Sequence, residues 1–130
     1  MAVTIRWDNP QKTIMIYELI GKWTWEEFYA AFESARAMIE ALPHIVDFIC
    51  CVEAAPGPLY LPPNTLLHIR GVYANSLPNA GITVVVGGDD LARSIFNILT
   101  RISPQIAQRF KLAASIEQAH LLLQQQRAAS

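Results

Sequence analysis

Three histidines and two adjacent cysteines are the residues of this 130-residue sequence from which a metal or redox site could be built. A metal needs several such ligands converging, often two histidines four residues apart on one helix face. His44, His68 and His120 fall in a loop and in two different helical runs with no partner at that spacing, so no metal is expected. Cys50 and Cys51 are neighbours in an apolar run. Consecutive strand side chains point to opposite faces, which argues against a disulfide between them. They read as buried, reduced thiols acting as small hydrophobes, consistent with a reducing compartment.

Nucleophilic and acid-base chemistry fare no better. Ser34, Ser76, Ser94, Ser103 and Ser115 all lack the glycine-flanked turn that exposes a catalytic serine. The carboxylate pairs Glu26-Glu27 and Asp89-Asp90 sit where helices begin, and there they serve caps and dipoles rather than proton transfer. Gly87-Gly88-Asp89-Asp90 follows an apolar run and opens a helix, the place where α/β folds cradle phosphate. It lacks the spaced glycines and the lysine of phosphate loops, and its aspartates would repel an anion. Neither an enzyme nor a cofactor is expected.

Composition narrows the remaining classes. A net charge of -1 removes the electrostatic attraction on which nucleic-acid and anionic-membrane binders depend. With 52% hydrophobic residues, disorder is excluded, and a chain of this length can bury a core without metal or disulfide. Charged residues interrupt every apolar stretch before it reaches membrane-spanning length, and the first residues lack a signal-peptide pattern, so a cytoplasmic protein without a membrane span is expected.

These residues must be positioned by a regular alternation of elements. Val3–Trp7 and Thr13–Leu19 are β-rich runs joined by the turn cluster Asp8-Asn9-Pro10-Gln11, which predicts an antiparallel hairpin. Thr24 followed by Glu27 forms a capping box, and Trp23 with Phe28 a hydrophobic staple. The apolar stripe Trp25, Phe28, Tyr29, Phe32, Ala35, Ile39 and Leu42 predicts a helix that Pro43 stops. Residues 45–52 and 81–87 read as strands buried on both faces. Asp47 interrupts the first of them; it sits at the strand's wet end or pairs with a base such as Lys12 or Arg6. Asn64 or Thr65 caps a short helix reaching about Ala74. Asp89 or Asp90 caps another, with Leu91, Ile95, Ile98, Leu99 and Ile102 as its core face and Pro104 just past its end. Phe110–Ala113 is a short strand. Ser115 and Gln118 start a last helix whose Ile116, Ala119, Leu122 and Leu123 face inward, with fraying expected from Gln124. The order β-β-α-β-α-β-α-β-α predicts an α/β domain over 1–130, a mostly parallel sheet entered through an antiparallel hairpin and flanked by helices.

That order, the hairpin start, the Ile82-Thr-Val-Val-Val86 strand and the closing strand and helix resemble the STAS or anti-sigma-factor-antagonist family (SpoIIAA-like) and its SEC14-like relatives. The resemblance implies a non-enzymatic regulatory module whose protein partner is an anti-sigma factor or kinase-like protein. In that family a hydroxyl residue at the start of the second helix is phosphorylated, after an acidic residue that closes the preceding strand. Here Thr65 is the candidate phosphosite and Glu53 the acidic residue, across a longer connection than the family usually has. A phosphate on Thr65 would meet free N–H groups at the positive end of the helix dipole, with His68 and Arg70 within two turns.

The proline-rich segment 54–63 carries Leu59, Tyr60 and Leu61 on a connection that normally runs over a surface. They fold onto their own domain or contact a partner. The expected partner surface is therefore Glu53, Leu59, Tyr60, Leu61, Asn64, Thr65 and His68, and a homodimer would satisfy the same residues. Trp7, Trp23 and Trp25 serve the core and staple first and a surface patch second. Two alternatives compete with the regulatory reading. One is a SEC14-like module with an enclosed apolar pocket of about 300 Å³ or more between that loop and the helices. The other is a homo-oligomeric scaffold.

Overall fold

The structure, a computed structural model, describes residues 2–52, 62–87 and 90–128, without the side chains of Asp90 and Leu91. Strands β1 (Val3–Trp7) and β2 (Ile14–Leu19) form the antiparallel hairpin, with Val3 opposite Leu19 and Trp7 opposite Met15. Its turn is tied by Asn9, whose side chain accepts from the Thr13 amide at 3.0 Å and donates to the Thr13 hydroxyl at 2.7 Å. Strands β3 (Val46–Cys51), β4 (Ala80–Val86) and β5 (Phe110–Ala113) follow in parallel, and the sheet runs β1-β2-β3-β4-β5. The mixed α/β sheet is thus the one the pattern of elements demands.

Among the described residues five helices accompany it: α1 (Trp25–Ile39), α2 (Thr65–Ala74), α3 (Asp90–Ile102), α4 (Pro104–Ala107) and α5 (Ile116–Ala128). Parallel strands laid down in sequence order with right-handed crossovers send their connecting helices to one face. In keeping with that, α1 packs on the face carrying Met15, Tyr17, Leu19, Val46, Phe48, Cys50 and Val85, and α3 and α4 gather Leu99, Ile106 and Ala107 with Phe110 and the α2 residues Leu66, Ile69 and Tyr73. Among the described residues α5, after the last strand, is the helix that covers the opposite face, where Ala119 and Leu123 seal Ile16, Ile49, Ile82, Val84, Val86 and Ala113.

Helix α1 begins as its sequence dictates. The Thr24 hydroxyl accepts from the Glu27 amide at 3.1 Å, the Glu27 carboxylate accepts from the Thr24 amide at 3.1 Å, and Trp23 and Phe28 meet at 6.1 Å between ring centroids. For α5, the Ser115 hydroxyl accepts from the Gln118 amide while the Gln118 side chain turns back to the Ala114 amide.

Three expectations need correction. The chain does not fray from Gln124, because α5 continues to Ala128 with Arg127 anchored on the sheet. Asp47 does not sit at a wet strand end, and the basic partner it has is Arg127 rather than Lys12 or Arg6: it is 5% exposed, accepts the Ile82 amide at 2.9 Å through Oδ1 and pairs with Arg127 through Oδ2. In α3 only Leu99 of the expected core face is buried; Ile98 and Ile102 are exposed, and the Leu91 side chain lies outside the described residues. Pro104 lies just past the end of α3, as expected, and also opens α4 from the first helical position, where its missing N–H costs nothing. Among the described residues no helix is long and apolar enough to cross a membrane.

Candidate functional site

The two faces of the sheet are filled differently. Beneath α5 the alternate residues Ile49, Val84 and Val86 have no exposure, whereas on the other face Phe48, Cys50, Thr83 and Val85 are only half-buried although they stand in central strands. The reason is α2. Its sequence is largely apolar, yet none of its residues is fully buried, and it stands over the sheet rather than on it.

What holds α2 in place is a set of rings. The His68 imidazole stacks on Trp25 at 4.7 Å with 20° between planes, and its Nδ1 lies 2.9 Å from the Tyr29 hydroxyl. His68 is thus a strut between α1 and α2. The helix starts at Asn64, an exposed residue in the left-handed region at φ 63° that gives no side-chain cap. Neither Asn64 nor Thr65 therefore caps α2 through its side chain. Thr65 is half-buried, and its hydroxyl donates to the Pro62 carbonyl at 2.7 Å.

Between α1, α2 and the sheet lies a cavity of about 200 Å³. Tyr17, Phe48, Cys50, Thr83 and Val85 form its floor. Phe28, Phe32, Ala35 and Ile39 of α1 form one wall, and Thr65, Ile69, Val72 and Tyr73 of α2 the other. Trp23 and Trp25 lie at one end; Arg36, Ser76, Leu77 and Arg109 lie at the other. Two N–H donors on its lining are buried without a hydrogen-bond partner among the described residues, Trp25 Nε1 and Arg36 Nε. Such orphans are rare in folded proteins and call for an explanation.

The titratable groups of the floor are kept neutral. Burial pushes the Cys50 thiol up to about 12, with Cys51 adding to the shift, and burial likewise raises the Tyr17 phenol above its ordinary value, with Cys50 contributing. At neutral pH both present polar but uncharged groups, and Cys50 is a poor nucleophile. Among the described residues no group of His, Cys, Asp and Glu side chains could hold a metal.

Of the residues expected to form a partner surface, the structure brings Asn64, Thr65 and His68 together on the first turn of α2; Glu53, Leu59, Tyr60 and Leu61 lie outside the described residues. The cavity is smaller than the 300 Å³ expected of a SEC14-like pocket, and its walls are α1, α2 and the sheet. Sequence reasoning did not single out Arg36, Thr83 or Arg109. For Arg36 a signal was present: it lies four residues after Phe32 and three before Ile39, on the otherwise apolar stripe of α1. Comparison of the chain with protein-family models, with curated proteins and with solved structures finds no match.

Proposed function

We propose that this protein is a non-enzymatic binding module for a small, largely apolar ligand seated between α1, α2 and the sheet. The observation that carries this reading is the 200 Å³ cavity over half-buried Phe48, Cys50, Thr83 and Val85. A comparable apolar cavity of about 150 Å³ engineered into another protein takes up benzene, so the volume suffices for one ring or a short chain. Trp23 and Trp25 supply a reporter. Titration with 1-octanol is expected to give a saturable change in tryptophan emission, abolished by Thr83→Leu, which fills the floor. No saturable change in the wild type would refute the reading.

A second reading keeps the regulatory switch and the family resemblance, with Thr65 as phosphosite and a kinase-like anti-sigma partner. One observation favours it: α2 has no side-chain cap, so its first-turn amides lack a side-chain acceptor that a phosphate would provide. Intact-mass analysis of the protein from its native cells tests it. A phosphate adduct absent from Thr65→Ala supports the switch; an unmodified chain in growing and starved cells alike counts against it.

A further inference from the structure

Resting on the cavity reading, we propose that the ligand is a monocarboxylic acid held by Arg36, with an apolar body of about six to eight carbons or one aromatic ring, a size set by the cavity's volume beside the benzene-sized precedent. Arg36 projects from the apolar stripe of α1 into the cavity lining. Its Nε is buried and has no hydrogen-bond partner among the described residues, and its Nη1 reaches only the exposed Glu33 carboxylate at 3.7 Å. A guanidinium offers Nε–H and the adjacent Nη–H side by side, a fork that a carboxylate fills with two parallel, charge-assisted hydrogen bonds.

The surroundings favour an anion at that end. Arg109 lies at the same edge of the sheet, where the parallel strands begin: its Nη1 donates to the Ala80 carbonyl at 3.0 Å and its guanidinium sits 5.7 Å from the Tyr73 ring centroid. The last turn of α1 is tied to that edge by Asn79, whose side-chain amide donates to the Ile39 carbonyl at 2.9 Å. Two arginines and no carboxylate stand among the described lining residues. The remaining lining, from Phe32 and Phe48 to the Trp23 and Trp25 end, is largely apolar and uncharged and suits the body of the acid. Trp25 Nε1 is a neutral donor and selects no charge.

Titration calorimetry at neutral pH with octanoate and 1-octanol, which share a chain length and differ in headgroup charge, tests this. Wild type is expected to bind octanoate about tenfold more tightly than 1-octanol, as the carboxylate fills both donors of the fork and carries the opposite charge, while the alcohol offers one neutral acceptor. Arg36→Met, which keeps the apolar stem, is expected to lose the preference for octanoate, and Arg36→Lys to recover part of it. Equal binding of both probes by wild type would overturn the carboxylate assignment and leave the apolar-ligand reading standing. Binding of neither would remove both. A preference that survives Arg36→Met and disappears in Arg109→Met would overturn the assignment to Arg36. Should Arg36→Met lose both probes through misfolding, the wild-type ratio and Arg36→Lys decide the question.

Discussion

Arg127 donates from both Nε and Nη2 to one carboxylate oxygen of Asp47, at 3.0 and 2.9 Å, across 80 residues of sequence. The same Nη2 donates to the Thr13 carbonyl at 2.9 Å, and the other Asp47 oxygen accepts the Ile82 amide. One buried carboxylate therefore ties the C-terminal end of α5 to β3 and β4, and holds the helix that closes the face opposite the cavity.

Removing that carboxylate leaves a buried amide and a guanidinium without their acceptor. Asp47→Ala is expected to destabilise the fold by about 3 kcal/mol or more. Arg127 is 42% exposed, so water takes over part of its role, and Arg127→Ala is expected to cost about 1–3 kcal/mol. Urea unfolding of both variants and of the double variant measures the coupling. Losses that simply add would mean that the two side chains do not act as a pair.

Gly81 tests the same corner by a different route. A Cβ there would collide with Asp47 Oδ1 and stand 2.9 Å from Ile45 Cγ2. Gly81→Ala should displace the Asp47 carboxylate from the Ile82 amide and lower stability by about 1–3 kcal/mol. In an Asp47→Ala background, where the obstructing oxygen is gone, the further loss should be smaller. An equal loss in both backgrounds, read from chemical denaturation, would contradict the geometry.

Much of the architecture was legible because periodicity and caps are local. Thr24 with Glu27, Trp23 with Phe28 and Ser115 with Gln118 act within one turn, and each is realised in the structure. The Asp47 partner was not legible, since Arg127 lies in a polar C-terminal stretch whose composition reads as frayed. Nor was the exposure of Ile98 and Ile102: helical spacing marks which residues share a face, and the packing of neighbouring elements decides how much of it is covered. The cavity was equally hidden. The runs containing Phe48, Cys50, Thr83 and Val85 look like strands buried on both faces, and only the stance of α2, set by His68 on Trp25 and Tyr29, leaves one face incompletely filled.

Cys50 predicts an alkaline limb in stability. Its thiol pKa is raised from 9.0 to about 12 in the folded chain, so between those values the unfolded state has lost a proton that the folded state retains. Stability must then fall as pH rises through that window and be unaffected by this group below it. Cys50→Ala is expected to flatten the decline, leaving the contribution of Tyr17, whose phenol is also raised by burial. Alkylation of Cys50 at pH 8 should be slow in the folded protein and rapid after denaturation. Fast modification of the native thiol would contradict its raised pKa.

The proposed seating of an apolar molecule between α1, α2 and the sheet can be checked by titrating methyl-labelled protein with 1-octanol in solution NMR. The account predicts saturable shifts at Leu19, Ile39, Val52, Ile69 and Val85, which line the cavity, and none at Leu67, Ile98 and Ile102, which are exposed. Shifts confined to the exposed residues, or none at all, would contradict it.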